Sequence, residues 1–124
     1  MTGGMPWKRF ELAEQSPVVL YLREPKEKIW GLLLSLSPTG VVVRGLDLPA
    51  FDDWMRQEAR SEAPLLGLLT LFYPLHRVER IERDETVGPL LSYADRFRAE
   101  VGRTVFEALG LSPLPGNPSG PADT

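Results

Sequence analysis

The run Ile29–Leu36 is apolar on both faces except at Ser35, the pattern of a central strand covered on two sides. The runs beside it also read as strands. Val18–Arg23 follows Pro17, alternates two apolar sets and is rich in Val, Leu and Tyr. Val41–Leu46 opens with three successive β-branched residues, a poor start for a helix. The charged stretch Glu24–Lys28 separates the first two runs. Ser37–Gly40 separates the next two, with Pro and Gly where a hairpin turn needs them. Links this short join antiparallel neighbours.

The apolar period changes at Asp47. Asp47-Leu48-Pro49 reads as a helix start, with Asp47 as the cap and Pro in the first turn. Phe51, Trp54 and Met55 then recur at helical spacing as far as about Arg60. The adjacent Asp52 and Asp53 suit the positive end of that helix and need no metal. Leu65–Tyr73 returns to strand character, again apolar on both faces. After Pro74, a short last strand over Leu75–Arg83 is expected to bury Val78 and Ile81. A second helix is predicted from Ser92 to Leu109, about 27 Å long. Ser92 and Asp95 form a capping box in its acidic variant, and Gly110 is the C-terminal cap. Its stripe of Tyr93, Ala94, Phe97, Val101, Val105 and Ala108 is widened by Phe106 and Leu109.

The expected fold is therefore mainly β within the α+β class: a small antiparallel barrel or strongly bent sheet, with one inserted and one C-terminal helix. With 124 residues, the chain has room for one domain, placed at 1–111. Residues 112–124, rich in Pro and Gly, bury too little to offset their ordering entropy and read as a disordered tail.

The strand region resembles the Sm-like family of five-stranded SH3-type barrels, over about residues 17–83. Val18–Leu22 stands as that family's first strand. Ile29-Trp30-Gly31-Leu32-Leu33 is similar to its second, in which glycine lets the strand bend sharply. Ser37 stands where the family usually carries aspartate. Tyr73–Ile81 is similar to the bacterial segment with a tyrosine, a histidine and a following apolar residue, but is one residue longer and contains Pro74. The resemblance implies a barrel that assembles into rings on RNA. A weaker likeness, of Ser35–Gly40 to the D/N-x-S-x-x-G motif of PilZ domains, lacks that family's upstream arginine pair.

Chemistry-bearing residues are few. There is no cysteine and one histidine, His76, so thiolate chemistry and poly-His zinc sites are out of reach. No phosphate-binding glycine loop, dinucleotide fingerprint or nucleophile elbow is present. No enzyme activity, cofactor or metal is expected. His76, Arg77 and Arg80 are the nucleic-acid-binding candidates, but Arg77, Arg80 and Arg83 alternate with Glu79, Glu82, Asp84 and Glu85. Residues 1–83 carry 11 basic and 11 acidic side chains, and residues 84–124 carry 3 and 6. This balance disfavours RNA. It also suits a reading of the arginine run as a charged edge strand that resists edge-to-edge pairing. Trp30, Trp54 and Phe72, each in an apolar run, read as core.

The favoured function is a non-enzymatic small-barrel interaction module that self-associates or binds a protein partner. An Sm-like RNA-binding ring is the alternative. The expected homo-oligomer interface is the wide stripe of the terminal helix, at Phe97, Val101, Gly102 and Phe106, or a strand edge. No segment reads as a signal peptide or a membrane span, so a cytoplasmic location with no membrane partner is expected.

Overall fold

The computed structural model describes residues 12–60 and 67–111. The expected tail and the approach to the fourth strand, from Leu65, lie partly or wholly outside them. Five antiparallel strands form one sheet: β1 (Pro17–Leu22), β2 (Glu27–Ser37), β3 (Gly40–Asp47), β4 (Leu69–Pro74) and β5 (Val78–Arg83). Their spatial order is β4-β3-β2-β1-β5. A 3-10 turn, Leu48–Ala50, leads into α1 (Phe51–Arg60). Helices α2 (Tyr93–Val101) and α3 (Val105–Leu109) follow β5. The expected first three strands and the inserted helix are present to within a residue or two.

The connection from β4 to β5 dictates the shape of the sheet. Pro74 pairs with Gly40, whose partner Ser37 ends β2. Val78 pairs with Leu22, whose partner Glu27 begins β2. In a flat sheet these points would lie about 33 Å apart along β2 and about 19 Å apart across the strands. The link Leu75–Arg77 can reach only about 14 Å. The sheet must therefore coil until the two ends of β2 approach one another. Gly31 and Gly45 pair where β2 and β3 pass closely: a Cβ on Gly45 would sit 2.3 Å from the Trp30 carbonyl oxygen, and one on Gly31 would sit 2.9 Å from that of Arg44. A register shift between Leu33 and Ser35 adds to the bend. Among the described residues β4 pairs only with β3 and β5 only with β1, so the coil keeps two free edges and is not a closed barrel.

Coiling gives the sheet two apolar faces and the molecule two cores. Val18, Leu20, Leu22, Ile29, Leu33, Val41 and Val43 fill the concave side, with half-buried Leu71, Tyr73, Val78 and Ile81 against them. Val19, Trp30, Leu32 and Leu46 point the other way, into Phe51, Trp54 and Met55 of α1, Phe97 of α2 and Val105 of α3. Trp54 stacks on Phe97 at a centroid distance of 4.7 Å. The two-sided apolarity of Ile29–Leu36 is thus met by a core on each side as far as Leu33; beyond it cover is lost, and Leu36 is 49% exposed.

Four local expectations are corrected. The predicted terminal helix is two helices, because Gly102 takes the left-handed conformation (φ 86°) that ends α2, and Thr104 with Glu107 forms a full capping box that starts α3. Asp47 makes no side-chain capping bond. Leu75–Arg77 is a 3-10 turn, so the last strand begins at Val78. The fourth strand is apolar on both faces but is not covered on both: Phe72 is 55% exposed.

Asp84 joins β2 to the start of α2. Its carboxylate accepts from the Trp30 indole Nε1 (3.0 Å) and from the first two amides of α2, Tyr93 (2.8 Å) and Ala94 (2.9 Å). Ser92 is the N-cap as expected, accepting from Asp95 N. The reciprocal half of the capping box is absent: Asp95 instead receives the Thr86 hydroxyl, which in turn accepts from Ser92 N.

Two stability predictions follow from these contacts. Gly45→Ala puts a methyl group against immovable backbone and should cost about 1–3 kcal/mol in chemical denaturation. Asp84→Ala strands three donors at a half-buried junction and should cost about 2 kcal/mol. Asp84→Asn, which keeps one acceptor oxygen, should lose less.

Candidate functional site

His76 and Arg77, candidates for nucleic-acid contact, lie in the 3-10 turn that holds the coil together. Leu75 N donates to Thr39 O (3.1 Å) in the β2–β3 turn. On the other side, the His76 carbonyl accepts from Arg23 Nε (3.0 Å) and the Arg77 carbonyl from Arg23 N (2.9 Å). The Arg77 guanidinium donates to the carbonyls of Arg23 (3.0 Å) and Pro25 (2.8 Å) and pairs with Glu27 (3.2 Å). Three residues thus bind the turns at opposite ends of β2. The Arg77 cation is occupied in this clasp, with its guanidinium 5.8 Å from the Tyr73 ring centroid. The His76 residue is exposed.

Arg80 is directed elsewhere. Tyr21 pairs with Lys28 on one side and with Arg80 on the other, so the three share a cross-strand row. The Arg80 guanidinium lies 3.9 Å from the Tyr21 ring centroid, and its Nε bonds Glu82 (3.0 Å). Burial and the neighbouring Glu82 carboxylate push the Tyr21 phenol up. Burial, with Glu27 and Asp47, does the same to Tyr73. Both phenols therefore stay protonated at neutral pH, and neither is poised as a base.

The Tyr21 row lines a cleft of about 820 Å³ together with Leu48, Pro49 and Asp52 and with Tyr93 and Arg96 of α2. Arg96 pairs with Asp52 across it. Four cations, Lys26, Lys28, Arg80 and Arg96, line the cleft, and four carboxylates, Glu27, Asp47, Asp52 and Glu79, oppose them. A polyanion gains no net attraction from such a lining. Among the described residues no group of three His, Asp or Glu could hold a metal ion, and no helix is long and apolar enough to cross a membrane.

The terminal-helix stripe faces inward. Phe97 is fully buried against Phe51 and Trp54, and Val105 is buried beside it. Tyr93, Val101 and Phe106 are half-buried on the same core. Gly102 serves as the α2 cap, with no atom within 4 Å of where a Cβ would lie. Splitting the helix lets both short pieces press the stripe onto α1 and the sheet, and the Arg103 guanidinium ties the join to the Glu58 carbonyl (3.1 Å).

Exposed apolar side chains lie in the β5–α2 connection, at Val87, Leu90 and Leu91, and on β4, but only β4 combines them with a free strand edge. Leu69–Pro74 carries no charge, Leu69 is 66% and Phe72 55% exposed, and one side of the strand is free of sheet partners among the described residues. The opposite edge, β5, carries Glu79, Arg80, Glu82 and Arg83, with ion pairs Arg80–Glu82 and Arg83–Glu85. The charges on β5 were legible as edge protection. The openness of β4 was not, because its composition is that of a buried strand.

No family model, curated protein or solved structure matches the chain.

The clasp predicts a division of labour between the arginines. Arg77→Ala should lower stability by about 1–2 kcal/mol, the loss of charged hydrogen bonds to backbone, and should shift the thermal midpoint. Arg80→Ala, at an exposed ring face, should leave that midpoint nearly unmoved.

Proposed function

We propose that the chain is a non-enzymatic interaction module that self-associates through a strand edge. The carrying observation is the asymmetry of the two edges: β5 is charged and ion-paired, whereas β4 is uncharged with Leu69 and Phe72 exposed. An edge of unpaired N–H and C=O groups is a template for another strand, and proteins that must stay monomeric blunt it with charge. The inward stripe of α2 and α3 favours the edge over the terminal helix as the contact. The five-strand antiparallel sheet is coiled but open at two edges, short of the closed barrel that the Sm-like resemblance implies. The RNA-binding part has less behind it, since Arg77 and Arg80 are both engaged within the chain.

Sedimentation velocity over a concentration series is the direct test. Dimers or larger species that dissociate on dilution are expected, and a monomer up to high micromolar concentration would overturn the reading. Titration with labelled U-rich and A-rich single strands separates the alternative. Little binding is expected, whereas affinity tighter than about 1 μM, beyond the usual non-specific range, would replace this reading with the RNA-binding ring.

A further inference from the structure

We propose that two copies of the chain join β4 to β4, antiparallel across a two-fold axis through Leu71, to form a closed dimer. The proposal rests on the self-association reading and adds its geometry.

The register comes from the backbone. Leu75 N bonds Thr39 O, and successive residues of an antiparallel strand turn their amide groups to alternate sides. Tyr73, Leu71 and Leu69, in step with Leu75, therefore turn theirs toward β3, where they pair with Val41, Val43 and Gly45. The N–H and C=O groups of Thr70 and Phe72 face the free side. Pro74 shares that side but has no N–H to donate. Pairing Thr70 with Phe72 of the second copy satisfies all four of these groups on each strand and places Leu71 opposite its own symmetry mate. Moving the axis to Phe72 would set Thr70 against Pro74 and leave the Thr70 carbonyl without a donor. A strand whose outward groups match in this way is complementary to itself.

Charge selects the same partner. Joining β4 to β5 of another copy would lay the uncharged Leu69–Pro74 along the charged Glu79, Arg80, Glu82 and Arg83, of which Arg80, Glu82 and Arg83 already hold ion pairs. A head-to-tail contact of that kind also leaves one edge open at each end unless it closes into a ring. Joining β4 to β4 sets apolar against apolar, with Phe72 of each copy beside Thr70 of the other on the outer face. It uses both apolar edges at once. The resulting ten-strand sheet ends on β5 at both margins, so growth stops at two.

The chain has no cysteine, so engineered thiols report the contact without background. Across the axis, a non-hydrogen-bonded pair brings the two Cα atoms to about 4.5 Å, within disulfide range. Leu71→Cys should therefore form a covalent dimer under mild oxidation. Because Leu71 is half-buried, a mixture of Thr70→Cys and Phe72→Cys proteins provides a second report from the outer face, expected as a crosslinked heterodimer. Thr70→Lys should weaken the wild-type dimer about tenfold or more in sedimentation, with the circular dichroism spectrum unchanged.

Four results would overturn the proposal. Crosslinking of Leu71→Cys to Glu82→Cys, or a species larger than two, would establish head-to-tail pairing and leave self-association intact. An unaffected dimer in Thr70→Lys that is lost in Phe106→Glu would move the contact to α3, again leaving self-association intact. Absence of both expected crosslinks from a species that still sediments as a dimer would reject this register. A monomer at high micromolar concentration would remove the proposal and the reading beneath it together.

Discussion

Three residues between β4 and β5 must connect opposite edges of a five-stranded sheet and opposite ends of its longest strand. No flat arrangement satisfies that link, so the sheet coils. The concave core, the paired glycines and the convex face offered to the helices are consequences of the coil. The link is also its fastening, since Leu75 bonds one hairpin turn while His76 and Arg77 bond the other. Residues whose chemistry suggests anion binding are used here to hold backbone.

A sheet coiled tightly enough to fill its concave side with Val, Leu and Ile leaves Trp30, Leu32 and Leu46 on the outside, and these need cover. The inserted helix supplies part of it and the terminal pair the rest. Asp84 fixes where the terminal pair begins: one carboxylate serves both a buried indole and the amides of a helix start. A carboxylate there also meets the positive end of α2. The wide apolar stripe is accommodated because the helix breaks at Gly102 and folds onto the core in two pieces.

Of the two free strand edges, only β4 is uncharged; Val87, Leu90 and Leu91, between β5 and α2, are also exposed. In the cleft and along β5, charges of both signs lie close together and offset one another. The β4 edge has no such compensation, and its exposed Phe72 ring lies over Gly40, where a Cβ would come within 2.7 Å of it. That surface combines apolar side chains with unused backbone hydrogen-bonding groups. Both terms suit a second strand, and no unopposed cation lies on β4 to hold a phosphate backbone.

Local chemistry made much of the fold legible. The period-two runs, the turn residues and the change of period at Asp47 place the first three strands and α1 within a residue or two, because each signal acts within a few residues. The break in the terminal helix was also written locally, in Gly102 and the Thr104–Glu107 pair, but was masked by a stripe that runs on across it. That continuity arises because both pieces pack on the same core. The sequence alone could not show that Arg77 is a brace, that Asp84 joins Trp30 to α2, or that β4 is an open edge. Arg77 meets Pro25 and Arg23, and Asp84 meets Trp30, across more than fifty residues of chain. An apolar strand has the same composition whether a neighbour covers it or solvent does. Those outcomes depend on which distant segments the coil brings together, and only the tertiary structure decides that.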